Sequence, residues 1–143
     1  MPSGCMVVTS RFQVKTTGQG DAHDITDDVR RAIVEGGVSN GIVTVFVVGS
    51  TAGITTNEFE PGAIADLNRL FDRLAPRGAD YQHHLRWGDD NGSSHVRAAL
   101  LGPSVTVPVT DGTPALGTWQ QIMLLEFDTR AREREVIIQM VGE

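Results

Sequence analysis

From Met6 to Lys15 the chain alternates, Val8, Phe12 and Val14 falling on one parity and Thr9, Arg11, Gln13 and Lys15 on the other, which is the period of a half-buried strand. The polar, glycine-rich stretch from Thr16 to Asp24 breaks it. Asp24 then stands where a helix cap would, ahead of Ile25, Val29, Ala32 and Ile33 at helical spacing, with Gly36-Gly37 as a stop. Ile42 to Val48 is a β-branched run with no polar parity, which predicts a central strand covered on both faces. Gly49-Ser50-Thr51-Ala52-Gly53 follows, then a second strand, Ile54 to Glu58. Pro61 suits the first turn of a helix whose stripe of Ile64, Leu67, Leu70, Phe71 and Leu74 is predicted to be core packing ending before Pro76.

The last third has a different period. A short helix, His95 to Leu101, is predicted after Ser93-Ser94 and ends at Gly102-Pro103. Ser104 to Val109 alternates, with Val105, Val107 and Val109 on one face; Pro108 marks an edge or a bulge, and Asp111-Gly112 a tight turn. Ile122 to Phe127 and Val136 to Val141 are two further β-rich runs. Between them the Arg130 to Arg134 group, alternating with Glu133 and Glu135, reads as a solvated turn. This element order, without repeats, predicts one α+β domain over residues 1–143, mainly antiparallel sheet or sandwich, with roughly six to eight strands and two or three helices.

Composition narrows the class. A chain of 143 residues, 40% hydrophobic and 21% charged, can bury a core of its own. Its longest apolar run is far short of the ~20 residues that span a bilayer. The N-terminal Met-Pro-Ser-Gly-Cys-Met-Val-Val lacks a basic and then apolar leader, so export is not expected. The single cysteine, Cys5, excludes an internal disulfide and a paired-cysteine zinc site, which fits a reducing cytoplasm, and is read as an incidental thiol. A net charge of −6 argues against a nucleic-acid partner.

Chemistry concentrates between Tyr81 and His95. This stretch holds three of the four histidines, His83, His84 and His95, together with Asp89, Asp90 and Asn91, and Gly88 and Gly92 let the backbone turn between them. The Ser50-Thr51 pair between glycines could present hydroxyls and free N–H groups to a phosphate or carboxylate, although a structural turn is the plainer reading without a P-loop lysine. Trp119 buries a large area in either a core or a site, and Thr118 and Gln120, two apart, would share one face of a strand.

Five ordered segments, Ser50-Thr51-Ala52-Gly53-Ile54-Thr55, Tyr81-Gln82-His83, Asp90-Asn91-Gly92-Ser93-Ser94-His95, Leu101-Gly102-Pro103-Ser104 and Leu116-Gly117-Thr118-Trp119-Gln120, resemble the signature of the YjbQ-like family. The resemblance runs from about Val45 to the C-terminus. It implies a compact α+β homotrimer in the cytoplasm, a small enzyme acting on a phosphorylated small molecule, with thiamine-phosphate synthesis as the family's label. The alternative is a non-catalytic trimer that binds a small molecule or a metal. The family's polar positions carry over to Glu58, His83, Asn91, His95, Thr118 and Gln120, with Trp119 as an aromatic wall and Ser50 and Thr51 beside the substrate. This chain departs from the common form at Gly49, where a histidine is usual, and at His84 and Ser93, where an acid and a histidine are frequent.

Three roles for the histidines stay open at this point. His83 and His95 with Glu58, or with His84, would form a facial ligand set for a divalent metal, zinc or magnesium. Without a metal, one ring would act as general base while the other, protonated, binds a phosphate. Or both rings anchor the loop by hydrogen bonds. The two rings are expected to reach a common ligand, with Glu58, Asn91, Thr118 and Gln120 around the same pocket. Arg86 and Arg97 are the nearest basic residues in sequence.

Overall fold

The computed structural model describes residues 4–143; the first three residues of the N-terminal stretch read above lie outside it. Strand β1 (Met6–Lys15) has the expected alternation, with Val8, Phe12 and Val14 on its more covered face. A short strand β2 (Ala22–Asp24) lies in the stretch read as a break. Helix α1 (Thr26–Gly36) starts where expected, the Asp24 carboxylate accepting from the Thr26 amide at 3.0 Å, and stops at Gly37, whose φ of 71° suits glycine. The remaining strands are β3 (Gly41–Val47), β4 (Ala52–Asn57), β5 (Ser104–Thr110), β6 (Thr113–Pro114), β7 (Gln121–Glu126) and β8 (Glu133–Gly142). Helices α2 (Pro61–Leu74), α3 (Gln82–Trp87) and α4 (Gly92–Leu101) fill the middle of the chain.

These strands form two antiparallel sheets, ordered β1-β8-β3-β5-β6 and β2-β7-β4. The first sheet gives Val43, Val45, Val47, Val107, Val109, Val136, Ile138 and Met140 to the core, α1 adds Val29 and Ile33, and the second sheet adds Ile54, Ile122 and Leu124. Strand β7 is buried on both faces, because Met123 and Leu125 point the other way into a second cluster with Phe71 of α2 and Ala98 of α4. Phe127 closes that cluster edge-on to Phe71 at 4.9 Å between ring centroids. The chain is thus a sandwich with α2 and α4 layered on its smaller sheet.

Three expectations need correction. Strand β3 is covered on one face only within a single chain, since Ile42 and Phe46 within it and Val48 just beyond it remain 46%, 38% and 43% exposed. An all-apolar strand fits burial on both faces, and the single chain supplies only one layer. The α2 stripe is split in the same way: Phe71 is buried while Leu70 and Leu74 face outward. And the Tyr81–His95 stretch is two helices and a turn, four helices in all among the described residues.

Candidate functional site

The turn between α3 and α4 brings His83 and His95 together. Their ring centroids lie 4.5 Å apart at 44° between planes. His83 Nδ1 stands 3.0 Å from Asp89 Oδ1, and an ionised carboxylate only accepts, so Nδ1 carries the proton and Nε2 is left free. The Asn91 amide, turned with its nitrogen toward Asp89, is 3.2 Å from both carboxylate oxygens and holds that acid in place. His84 plays a structural part. Its Nε2 accepts the Gly92 amide N–H at 3.0 Å and its ring meets Tyr81 edge-on at 5.3 Å, which ties α3 to the start of α4. A Cβ on Gly92 would lie 2.5 Å from the Tyr81 Cβ, so this junction requires glycine.

Beside His95 lies a cavity of about 250 Å³ lined by Gly49, Ser50, Ala52, Ala98, Ala99 and Pro103. Under its loop is a buried polar network. Arg134 donates through Nε and Nη2 to the Glu126 carboxylate, Nη2 also donates to the Thr51 hydroxyl at 2.7 Å, and Glu126 accepts from Thr16 at 2.7 Å. The Thr51 hydroxyl in turn donates to Asp128 at 3.0 Å, and Arg132 pairs with the same acid at 2.9 Å. Burial acts to raise the Asp128 carboxyl, but the Thr129 amide, the Thr51 hydroxyl and the Arg132 guanidinium outweigh it and hold the group below the usual carboxylate range. The Thr51 hydroxyl, expected on a substrate, is therefore engaged in the fold, whereas Ser50 is exposed.

The other expected residues lie at the far end of β4. Asn57 pairs with Gln121 and Ala52 with Glu126, so roughly 16 Å of strand, at about 3.3 Å per residue, separates Glu58 from the Ser50 loop. Glu58, Thr118 and Trp119 line a second cleft of about 390 Å³ with Asp24, Asp27 and Arg30. Thr118 and Gln120 do not share a strand face: Gln120 N–H bonds the Gly117 carbonyl at 3.1 Å, closing a turn, and the Gln120 side chain accepts from the Gly117 amide at 3.0 Å and donates to Thr56 at 3.1 Å. Trp119, 73% exposed, is no core residue.

A metal does not fit this arrangement within one chain. Glu58 is a strand's length away, His84 spends its Nε2 lone pair on Gly92, and no group of three metal-binding side chains occurs among the described residues. The basic residues nearest in sequence also fall elsewhere. Arg97 is buried on the Ala75 carbonyl and Asp72, while Arg86 lies over Trp87 at 5.3 Å on the surface.

A family model described as "UPF0047 protein YjbQ-like" matches residues 10–143. The chain belongs to the YjbQ-like UPF0047 family. A UPF0047 protein of Archaeoglobus fulgidus is 40% identical over 125 residues, covering 87% of this chain and 94% of that one. UPF0047 protein YugU of Bacillus subtilis is 35% identical over 132 residues, covering 92% and 97%. A solved YbjQ-like protein of unknown function from Sulfolobus solfataricus superimposes with a TM-score of 0.90 at 34% identity, over 97% of this chain and 99% of that one.

In this YjbQ-like chain the residues that sequence reasoning missed are Arg132 and Arg134, placed in a solvated turn, and Asp89, seen only as one polar residue among several. The signal for Arg134 was its parity. It shares the inward face of β8 with Val136, Ile138 and Met140, where a charge needs a buried partner. No helix among the described residues is long and apolar enough to cross a membrane.

Proposed function

We propose that this YjbQ-like protein is a small enzyme in which His83 and His95 perform general acid–base chemistry on a phosphorylated small molecule, and that it works as a homotrimer. The observation that supports it is the Asp89–His83–His95 arrangement, in which His95 lines an open cavity and His83 packs against the His95 ring. Asp89 orients the His83 ring and leaves Nε2 free to take a proton from a hydroxyl or a water. His95, facing the cavity, binds the phosphate in its protonated form. Ser50 adds a hydroxyl at the cavity rim.

Thiamine-phosphate synthesis is the finer form of this reading. It joins a pyrimidine pyrophosphate to a thiazole phosphate and needs charge to stabilise the departing pyrophosphate. For Glu58 and Trp119 to act on the same ligand as His95, they must come from a second copy of the chain. The test is turnover on a panel of phosphomonoesters and on the two thiamine precursors, comparing wild type with His83→Ala and His95→Ala. Each substitution is expected to lower kcat by ~10²–10⁴-fold. Turnover unchanged in both variants removes the catalytic assignment, and ligand-induced thermal shifts without any wild-type turnover would make the protein a binding module.

A further inference from the structure

We infer that the Gly49-Ser50-Thr51 loop and Arg134 form a binding subsite for the oxyanionic group of the ligand, a phosphoryl or a carboxylate. This deepens the reading above, on which it rests, by naming what holds the charged end of the molecule. The loop has the donors. The amide N–H groups of Gly49, Ser50 and Thr51 reach no acceptor among the described residues, although Val48 before them donates to the Glu135 carbonyl at 3.0 Å and Phe127 donates to the Thr51 carbonyl at 2.9 Å. Successive unpaired N–H groups in a turn make a concavity that favours anions.

Arg134 supplies the second part. Its side chain is only 2% exposed, and Nε and Nη2 are spent on Glu126 and Thr51, but Nη1 donates to no described residue. Nη1 is not closed off with the rest of the side chain, since among the described residues only Ser94 Oγ is both buried and without a partner. Nη1 lies 2.7 Å from the point where a Cβ on residue 49 would stand, and Gly49 itself lines the cavity beside His95. Gly49 is thus what the guanidinium and the cavity share. Its φ of 136° is a conformation that side-chain-bearing residues rarely adopt, and its missing Cβ is what leaves Nη1 uncovered. Because Glu126 already balances the Arg134 charge, the subsite works through directed N–H donors and selects an oxyanion by geometry.

The cavity fixes the size of the rest of the ligand. At about 250 Å³, with Ala52, Ala98, Ala99 and Pro103 as apolar wall, it holds a small organic body whose anionic end sits on the loop. His95 then stands at the same wall, within the space such a molecule occupies.

The experiment is a titration of the ¹⁵N-labelled wild-type protein with inorganic phosphate at constant ionic strength, followed by amide and arginine side-chain resonances. Saturating shifts centred on the amides of Gly49, Ser50 and Thr51 and on the Arg134 side chain are expected. Gly49→Ala, which covers Nη1, should weaken binding at least tenfold, whereas Ser50→Ala, which keeps the backbone donors, should cost only a few-fold. Acetate run in parallel tells a carboxylate from a phosphoryl site: saturation by phosphate alone assigns a phosphoryl group, and saturation by both assigns oxyanions generally. Shifts scattered over exposed arginines, or no saturation, overturn the inference even where Gly49→Ala fails to fold, because the wild-type map stands alone. Loop-centred binding in a protein whose turnover ignores His83→Ala and His95→Ala would remove the acid–base reading and leave this subsite. Histidine-dependent turnover without loop-centred binding would do the reverse.

Discussion

Arg134 is the most constrained of the single residues, because a guanidinium at 2% exposure is tolerable only against the Glu126 carboxylate it faces. Removing one partner of such a pair leaves the other charge buried and uncompensated. Arg134→Met is therefore expected to lower the unfolding free energy by about 3–5 kcal/mol, read from denaturant midpoints; a loss below about 1 kcal/mol would mean that water reaches Glu126. Asp128 adds a dependence on pH. Its folded pKa is depressed, so its contribution is fully present above the unfolded value of about 3.9 and is lost as pH falls through the lower folded value. Wild type should exceed Asp128→Asn by about 1–3 kcal/mol at pH 7, with the gap constant down to about pH 4 and closing below it. A gap that does not begin to narrow below about pH 4 would assign the effect to shape and not to charge.

Among the elements, the strands were the most legible, and the reason is local. β1 and β5 each carry their period in single-residue alternation, and Asp111 and Gly112, at φ of 51° and 75°, adopt the turn that their residue types announce. The α3–α4 region was not legible as structure. Six residues of α3 carry no apolar stripe, and the helix exists because His84, Tyr81 and Gly92 lock its end against α4, a tertiary cause that no periodicity records. The same holds for the site. The proximity of His83 and His95 was expected from the turn between them, but the separation of Glu58 follows from the β4–β7 register, which spacing along the chain does not encode. Gly92→Ala tests this account, since its Cβ would push on Tyr81 and on His84 Nε2, 3.0 Å away. We expect the variant to keep its strands by circular dichroism while the His83 and His95 ring resonances lose their mutual perturbation; unchanged ring resonances would show that α3 is held by something else.

On the scale of the whole molecule, the larger sheet has an outer face that one chain does not cover. Ile42, Phe46, Val48, Val7 and Val141 are exposed on it, and a groove of about 370 Å³ runs between Thr9, Arg11, Thr44, Phe46, Ile137 and Gln139. An apolar strand in the middle of a sheet, open to water on one side, is the kind of surface that subunit contacts bury, and a stable contact needs roughly 1,200–2,000 Å² in total. The trimer proposed here places this face, or the outward Leu70, Leu74 and Leu85 on the helical side, against a neighbour. Light scattering coupled to size exclusion should give about three times the 15.4 kDa of one chain. Phe46→Asp discriminates the two faces, because a charge at the centre of the sheet cannot be buried without a partner. If the sheet makes the contact, the variant should elute as a monomer that keeps its fold by circular dichroism. A trimer that survives Phe46→Asp but falls apart with Leu74→Asp moves the interface to the helices, and a wild-type mass of one chain at micromolar concentration ends the trimer and, with it, any role for Glu58 and Trp119 at the His95 cavity.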